Sequence, residues 1–397
     1  MAKDKSGYII AAAFIGPGTV TTASIAGANF GFHLVWALLF SIVATMVLQD
    51  MAARLGIATG QGLATNLKDI SSNKTLRFLF SGLIVAAVGI GNAAYESGNL
   101  TGAAIGLDAF MGIGTGNWAI ILGAISAALL WSGKYKMIES VLVVLVIAMA
   151  IVFFVTLFAA GPDWTAMFAQ LSAPRLDAES ITMILALVGT TIVPYNLFLH
   201  ASLTAQNYAG EDKASSIDAS RKQSVFAIGF GGLITLVVMA TAMMAFFGQS
   251  ATMDAGNMGK QLEPVLGESA QWFFAAGLFA AGLTSSITAP LAASYAVCGA
   301  LNLSQDMHSK PFKAVWMSII TIGVIIAGIG FKPLSAILFA QAANGLLLPI
   351  VAIFLLVVMN RNNTLGQFKN ATASNLLGLL VVAFVVCLGM YKLASLF

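Results

Sequence analysis

Long apolar runs and short polar breaks alternate along almost the whole chain. Eleven stretches are dominated by apolar residues: 7–30, 33–54, 77–107, 117–133, 137–160, 179–207, 223–248, 269–301, 312–330, 333–359 and 373–396. About 20 apolar residues make a helix that crosses the hydrocarbon core of a bilayer, so each stretch predicts a membrane-spanning α-helix. Two of them are interrupted. The first carries Gly16-Pro17-Gly18-Thr19 and the sixth carries Val193-Pro194-Tyr195-Asn196. Proline removes a backbone donor and clashes with the preceding turn. Backbone groups freed in this way must be buried in protein or face a wet cavity. Spans one and six are the first members of two successive sets of five. Breaks at matching places in two five-helix halves predict an inverted-repeat transporter with its site near the midplane; the plainer alternative is a pair of proline kinks. The expected organisation is one transmembrane domain: a first repeat at 7–160, an inverted second repeat at 179–359 and an additional helix at 373–396.

Composition agrees with this pattern. Of 397 residues, 59% are hydrophobic and 9% charged, against about 25% charged in a soluble domain. With the N-terminus placed in the cytoplasm, fifteen of the 19 Lys and Arg fall inside, leaving only Arg175, Lys260, Lys332 and Lys392 outside. The positive-inside rule thus predicts a multi-pass protein of the inner or plasma membrane, N-terminus cytoplasmic and C-terminus extracytoplasmic. The N-terminal segment lacks an A-x-A-like cleavage site, so the first span is expected to be retained. Cys298 and Cys387 both lie in apolar runs and predict neither a disulfide framework nor a metal cluster. No H-E-x-x-H, G-x-S-x-G or P-loop occurs, which argues against a membrane-embedded enzyme. The expected partners are the bilayer and a small ionic substrate, not nucleic acid, with the protein a monomer or weak oligomer.

Several segments resemble the Nramp family of metal transporters. "FIGPGTVTTASIAGANFGF" is similar to that family's first-span D-P-G-N motif, and "GTTIVPYNLFLHASL" to its sixth-span M-P-H motif. "LQDMAARLGIATGQGL", "YESGNLTGAAIGL" and "FAQAANGLLLPI" resemble its second, third and tenth spans, so the likeness runs through nearly the whole chain. The resemblance implies an all-α, LeuT-like 5+5 inverted repeat with helices 1 and 6 broken, and it implies divalent metal import. The departures fall on the positions that bind metal in the family. Its Asp and Asn are Gly16 and Thr19 here, its methionine is Val193, and its histidine is Tyr195. The acidic pair of its third span is Glu96 and Asn99, while its tenth-span glutamine is kept as Gln341.

A divalent ion in a low-dielectric site needs charged or strongly polar oxygens, or soft sulfur and nitrogen. The breaks offer Thr19, Thr21, Thr22, Thr190, Thr191, Tyr195 and Asn196, none of them anionic at neutral pH. A helix restarting after Gly18 would instead present unpaired N–H groups and a partial positive charge, the arrangement that holds anions in transporters. The expectation from these residues is therefore a small oxyanion, such as bicarbonate or a short carboxylate. The binding residues would be Gly16, Gly18, Thr19, Thr21, Thr22, Thr190, Val193, Tyr195, Asn196 and Gln341. The alternative is proton-coupled uptake of manganese or magnesium, as the family resemblance implies. No cofactor is expected, and H+ or Na+ is the expected coupling ion. Candidates for its path are Glu96, Asn99, Glu139, His200, Ser285, Ser286 and Thr288. Glu96 stands out because intramembrane carboxylates are functional by default. Glu139 also suits a structural or exit-path role, and His200 a packed hydrogen bond. The threonines, for their part, can bond their own i−4 carbonyls.

Overall fold

A computed structural model describes residues 16–68, 73–133, 135–249, 253–329, 332–361 and 365–394, with the side chains of 68, 135–142, 392 and 393 outside that description. The start of the first span, residues 7–15, also falls outside it, as do Lys3, Lys5 and Lys134 of the charge count. The described chain is helical, with no strand among its elements. In chain order the helices are α1 Pro17–Phe30, α2 Val35–Thr59, α3 Leu63–Lys68, α4 Lys74–Ile84, α5 Gly91–Met111, α6 Thr115–Ser132, α7 Tyr135–Ala159 and α8 Trp164–Leu171. They continue with α9 Ala178–Thr191, α10 Pro194–Asn207, α11 Lys213–Phe246, α12 Ala270–Leu301, α13 Lys310–Gly328, α14 Pro333–Met359 and α15 Thr372–Ala394.

Among the described residues nine helical stretches have the length and hydropathy of a membrane span. Beyond these, α7 meets α8 at a bend of 109°, and α1 is the described part of the first span. The third span is continuous from Lys74 to Met111 through a π-helical turn, Val85–Ile90. Such turns interrupt α-helices most often near functional sites. The short helices α3 and α8 lie in segments that the apolar pattern leaves as connections.

Burial separates a central group of helices from a lipid-facing shell. The window covering α9 and α10 is 94% buried and that of α12 is 89% buried, against 28% for α6 and for α13. α5 packs on α12, α13 and α14; α1 packs on α11; and α9 packs on α14. Small residues permit these close approaches, as they do between membrane helices generally. At the α9–α14 crossing, a β-carbon on Gly189 would stand 1.9 Å from the backbone oxygen of Gln341.

Helices α9 and α11 start on side-chain caps. Asp177 accepts from the Ser180 amide at 2.8 Å and Asp212 from the Ser215 amide at 2.9 Å. These backbone hydrogen bonds hold both carboxyls below the ordinary Asp range, with Arg175 assisting at Asp177. A depressed folded-state value stabilises the fold above the unfolded Asp value and ceases to do so as pH falls through the folded value. Thermal melting followed down through this acid range should show a loss of stability. The Asp177→Asn/Asp212→Asn variant, which keeps the caps but cannot titrate, should lose less.

Candidate functional site

The start of α1, the gap between α9 and α10, and one face each of α5 and α14 converge at the candidate site. α1 begins at Pro17, whose fixed φ suits the first helical position and whose missing N–H costs nothing there. Gly16 precedes it as an extended cap with φ −90° and ψ 171°. Across the gap, Ile192 and Val193 are non-helical and Pro194 restarts the chain as α10. The Thr191 carbonyl at the end of α9 accepts from Thr45 Oγ1 of α2 at 3.3 Å. A neighbouring helix thus satisfies a backbone group that the break would expose.

Glycines admit the surrounding side chains. A β-carbon on Gly16 would lie 2.9 Å from Ser285 Oγ and 3.8 Å from the Tyr95 hydroxyl. One on Gly18 would lie 2.0 Å from Gln341 Nε2. Thr19 Oγ1 and Thr190 Oγ1 hydrogen-bond at 3.0 Å, tying α1 to α9. The Tyr95 and Tyr195 rings meet edge-on with centroids 5.5 Å apart, and Val193, in the gap before α10, is buried. The structure thus brings together Gly16, Gly18, Thr19, Thr190, Tyr195, Gln341 and Ser285, all closed off from solvent.

The donors at the start of α1 are fewer than the sequence suggests. Pro17 has no N–H, while the Thr19 and Val20 amides donate to Gly16 O at 3.1 and 3.2 Å. That leaves the Gly18 amide in the first turn. Among the described residues the only buried Lys or Arg is Arg54. Its guanidinium is committed to the Phe368 and Lys369 carbonyls and to Asn370 Oδ1. Unpaired neutral polar atoms are present instead, donors such as Asn344 Nδ2 as well as oxygens. Asn196 Oδ1, Asn99 Oδ1 and Glu96 Oε1 are buried without a hydrogen-bond partner, as are the Thr21, Thr22 and Thr101 hydroxyls. Thr21 and Thr22 therefore do not bond their own helix. Gln341 Oε1 and Nε2 also lack a well-formed hydrogen bond, although the Tyr95 hydroxyl lies nearby. Unpaired buried polar atoms of this kind are costly and call for an ion, water or ligand.

Other candidates point elsewhere. On α5 the face toward the break and α14 is Tyr95, Gly98 and Gly102: a β-carbon on Gly98 would meet Ala340, and one on Gly102 would meet Pro17. Glu96, one residue further round, presses on α13, where a Gly323 β-carbon would come 2.7 Å from its Cγ. Glu96 Oε2 accepts from Asn99 Nδ2 at 3.2 Å. His200 Nδ1 pairs with Gln49 Oε1 at 2.8 Å, linking α10 to α2. Ser286 bonds Ser126 of α6 at 2.8 Å, and Thr288 bonds carbonyls of its own helix, so only Ser285 of that trio touches the break. The Glu139 side chain lies outside the described residues. Among the described residues no three His, Cys, Asp or Glu side chains gather as a metal cluster. Tyr95 and Gln49 have no place in the sequence expectation; the signal for each is a polar residue inside an otherwise apolar span.

Broken helices around a closed polar site, embedded in a bundle of membrane-spanning helices, define the LeuT-like class of membrane transporters. The manganese transporter of Eremococcus coleocola superposes with a TM-score of 0.79, at 20% identity over 99% of this chain and 86% of that one. The closed form of Mhp1, a nucleobase-cation-symport-1 family transporter, superposes at 0.64, with 12% identity over 99% and 92% of the two chains. The sequence matches the family described as Natural resistance-associated macrophage protein-like, Nramp, over residues 7–395, and the chain belongs to that family. Its relatives include proteins named divalent metal cation transporter MntH. That of Yersinia pestis (strain Pestoides F) is 30% identical, covering 98% of this chain and 94% of its own length. That of Erwinia tasmaniensis is 28% identical, covering 98% and 93%. The protein is a multi-pass membrane transporter and not an enzyme.

Proposed function

We propose that this transporter moves a hard divalent cation, magnesium or manganese, by alternating access at the Thr19–Thr190–Tyr195–Gln341 cluster. The observation that carries this reading is the group of buried oxygens without a partner at and around the breaks, Asn196 Oδ1, Gln341 Oε1 and the Thr21 and Thr22 hydroxyls. Unpaired amide and hydroxyl oxygens suit a hard cation; an anion would be left to neutral donors, since among the described residues the one buried Arg, Arg54, is committed elsewhere. The names of the relatives agree with it. With Gly16 and Val193 in place of a carboxylate and a sulfur ligand, the ion is bound weakly and keeps part of its water, which favours magnesium, the more reluctant of common ions to dehydrate. Glu96, the buried carboxylate beside Asn99, is the proposed proton carrier. The charge distribution supports a cytoplasmic N-terminus, and residues 7–160 and 179–359 are the proposed inverted repeats.

A small oxyanion such as bicarbonate is the second reading, favoured by the open Gly18 amide at the start of α1. Calorimetric titration of the purified protein with magnesium, manganese and bicarbonate separates the two. We expect binding of the cations alone. Gly16→Asp, which adds a carboxylate that only Ser285 Oγ and Tyr95 must accommodate, should raise manganese affinity about tenfold or more. Bicarbonate binding that Gly16→Asp abolishes would instead establish the oxyanion reading.

A further inference from the structure

Away from the breaks, a cavity of about 620 Å³ lies between α7, α11 and the Met258–Leu262 turn. Its volume is within the range of about 300–1,000 Å³ found for small-ligand sites. The floor is polar and buried. Thr156 of α7 is fully buried, and its hydroxyl has no partner among the described residues. Thr241 of α11 and Gln261 of the turn complete this floor, at 2% and 1% exposure. Gln261 Nε2 donates to Ser24 Oγ of α1 at 3.0 Å and to Met258 O at 2.9 Å. Its Oε1 accepts from Thr241 at 3.4 Å.

The rim carries one charge of each sign, on the exposed residues Lys260 and Glu263. Ala160, also in the lining, joins this rim to the bend between α7 and α8. Around that bend Phe158, Trp164 and Phe168 are exposed and in ring contact, with successive centroids 6.1 and 6.3 Å apart. Exposed aromatics of this kind mark the headgroup level of a bilayer. The cavity therefore combines a buried hydrogen-bonding floor, a two-signed rim and a position at the membrane boundary.

We propose that this cavity binds a zwitterionic headgroup made of a primary ammonium and a phosphate joined by a short spacer. Lys260 takes the phosphate, Glu263 takes the ammonium, and the unpaired Thr156 hydroxyl meets a remaining phosphate oxygen, while Thr241 Oγ1 stays bonded to Val238 O of its own helix at 3.0 Å. The source is either phosphatidylethanolamine in the surrounding leaflet or free phosphoethanolamine. Because Gln261 both lines the cavity and holds Ser24, the occupant bears directly on α1, the helix that begins at the candidate transport site.

The test uses the full chain in nanodiscs and reads lipid binding by native mass spectrometry. Phosphatidylethanolamine, phosphatidylcholine and phosphatidylglycerol are compared, and soluble phosphoethanolamine is added as a competitor. Phosphatidylethanolamine should be retained in preference to the other two. Lys260→Ala/Glu263→Ala, at exposed positions that leave the fold alone, should weaken retention by about tenfold or more, since each removes a hydrogen bond to a charged group. The near-isosteric Thr156→Val should weaken it less. Displacement by phosphoethanolamine assigns the site to the free zwitterion as well, and its failure assigns the site to the lipid. Equal retention of all three lipids, or retention unchanged in the rim variant, would overturn the proposal.

Discussion

Gly189→Ala is expected to destabilise the protein severely. The added methyl would stand 1.9 Å from Gln341 O and 2.6 Å from Gly345 N, both backbone atoms of α14. No rotamer relieves such a contact, so α9 and α14 must part by about 1 Å before the distance reaches the 3.0 Å below which real β-carbons are essentially never found. Overpacking of this kind costs about 3 kcal/mol, and the better helix propensity of alanine returns only about 1 kcal/mol. The loss should be visible as a lowered melting temperature and a reduced monodisperse peak in detergent. A variant that melts like the unmodified protein would mean that the two helices do not cross this closely.

Gly18→Ala should damage transport far more than folding. Its methyl meets side-chain atoms of Gln341, Nε2 at 2.0 Å and Cδ at 2.6 Å, and a side chain can swing where a backbone cannot. The cost is then borne by the site, because the Gln341 amide leaves the break that it faces. Displacing a positioning group by about 1 Å can cost up to about 100-fold in rate, so uptake should fall at least about tenfold with the melting temperature nearly unchanged. Adding Gln341→Ala removes the clash and should leave transport low. Recovered transport in the double variant would show that Gln341 contributes only bulk.

The contrast between these two glycines marks what local sequence can express. Pro17 and Pro194 announce their breaks because proline acts through covalent geometry on its immediate neighbours. The long apolar runs announce helices for the same reason, since bilayer thickness sets their length. The loss of the carboxylate at residue 16 is likewise readable from the motif. The anion expectation drawn from it is the less supported of the two readings. The start of α1 has fewer open donors than the motif suggests because the Thr19 amide bonds Gly16 O, a detail of how tightly the first turn closes.

Features made by distant segments were not readable. Tyr95 and Glu96 are adjacent on one helix, and only packing of α5 against Gly323 of α13 and Gly16 of α1 decides which of them meets the break. The His200–Gln49 pair joins residues 151 apart, and the Gln261–Ser24 contact joins residues 237 apart. No helical periodicity carries that information. The group of unpaired buried oxygens on which the cation reading rests is likewise a product of distant segments packing together.

Uptake by purified protein in proteoliposomes, under an inward proton gradient, decides directly whether the broken helices pass a divalent cation. Magnesium and manganese should accumulate, Gly18→Ala should lower the accumulation at least about tenfold, and external bicarbonate should have no effect on it. Accumulation of bicarbonate with no entry of either cation would contradict the cation reading.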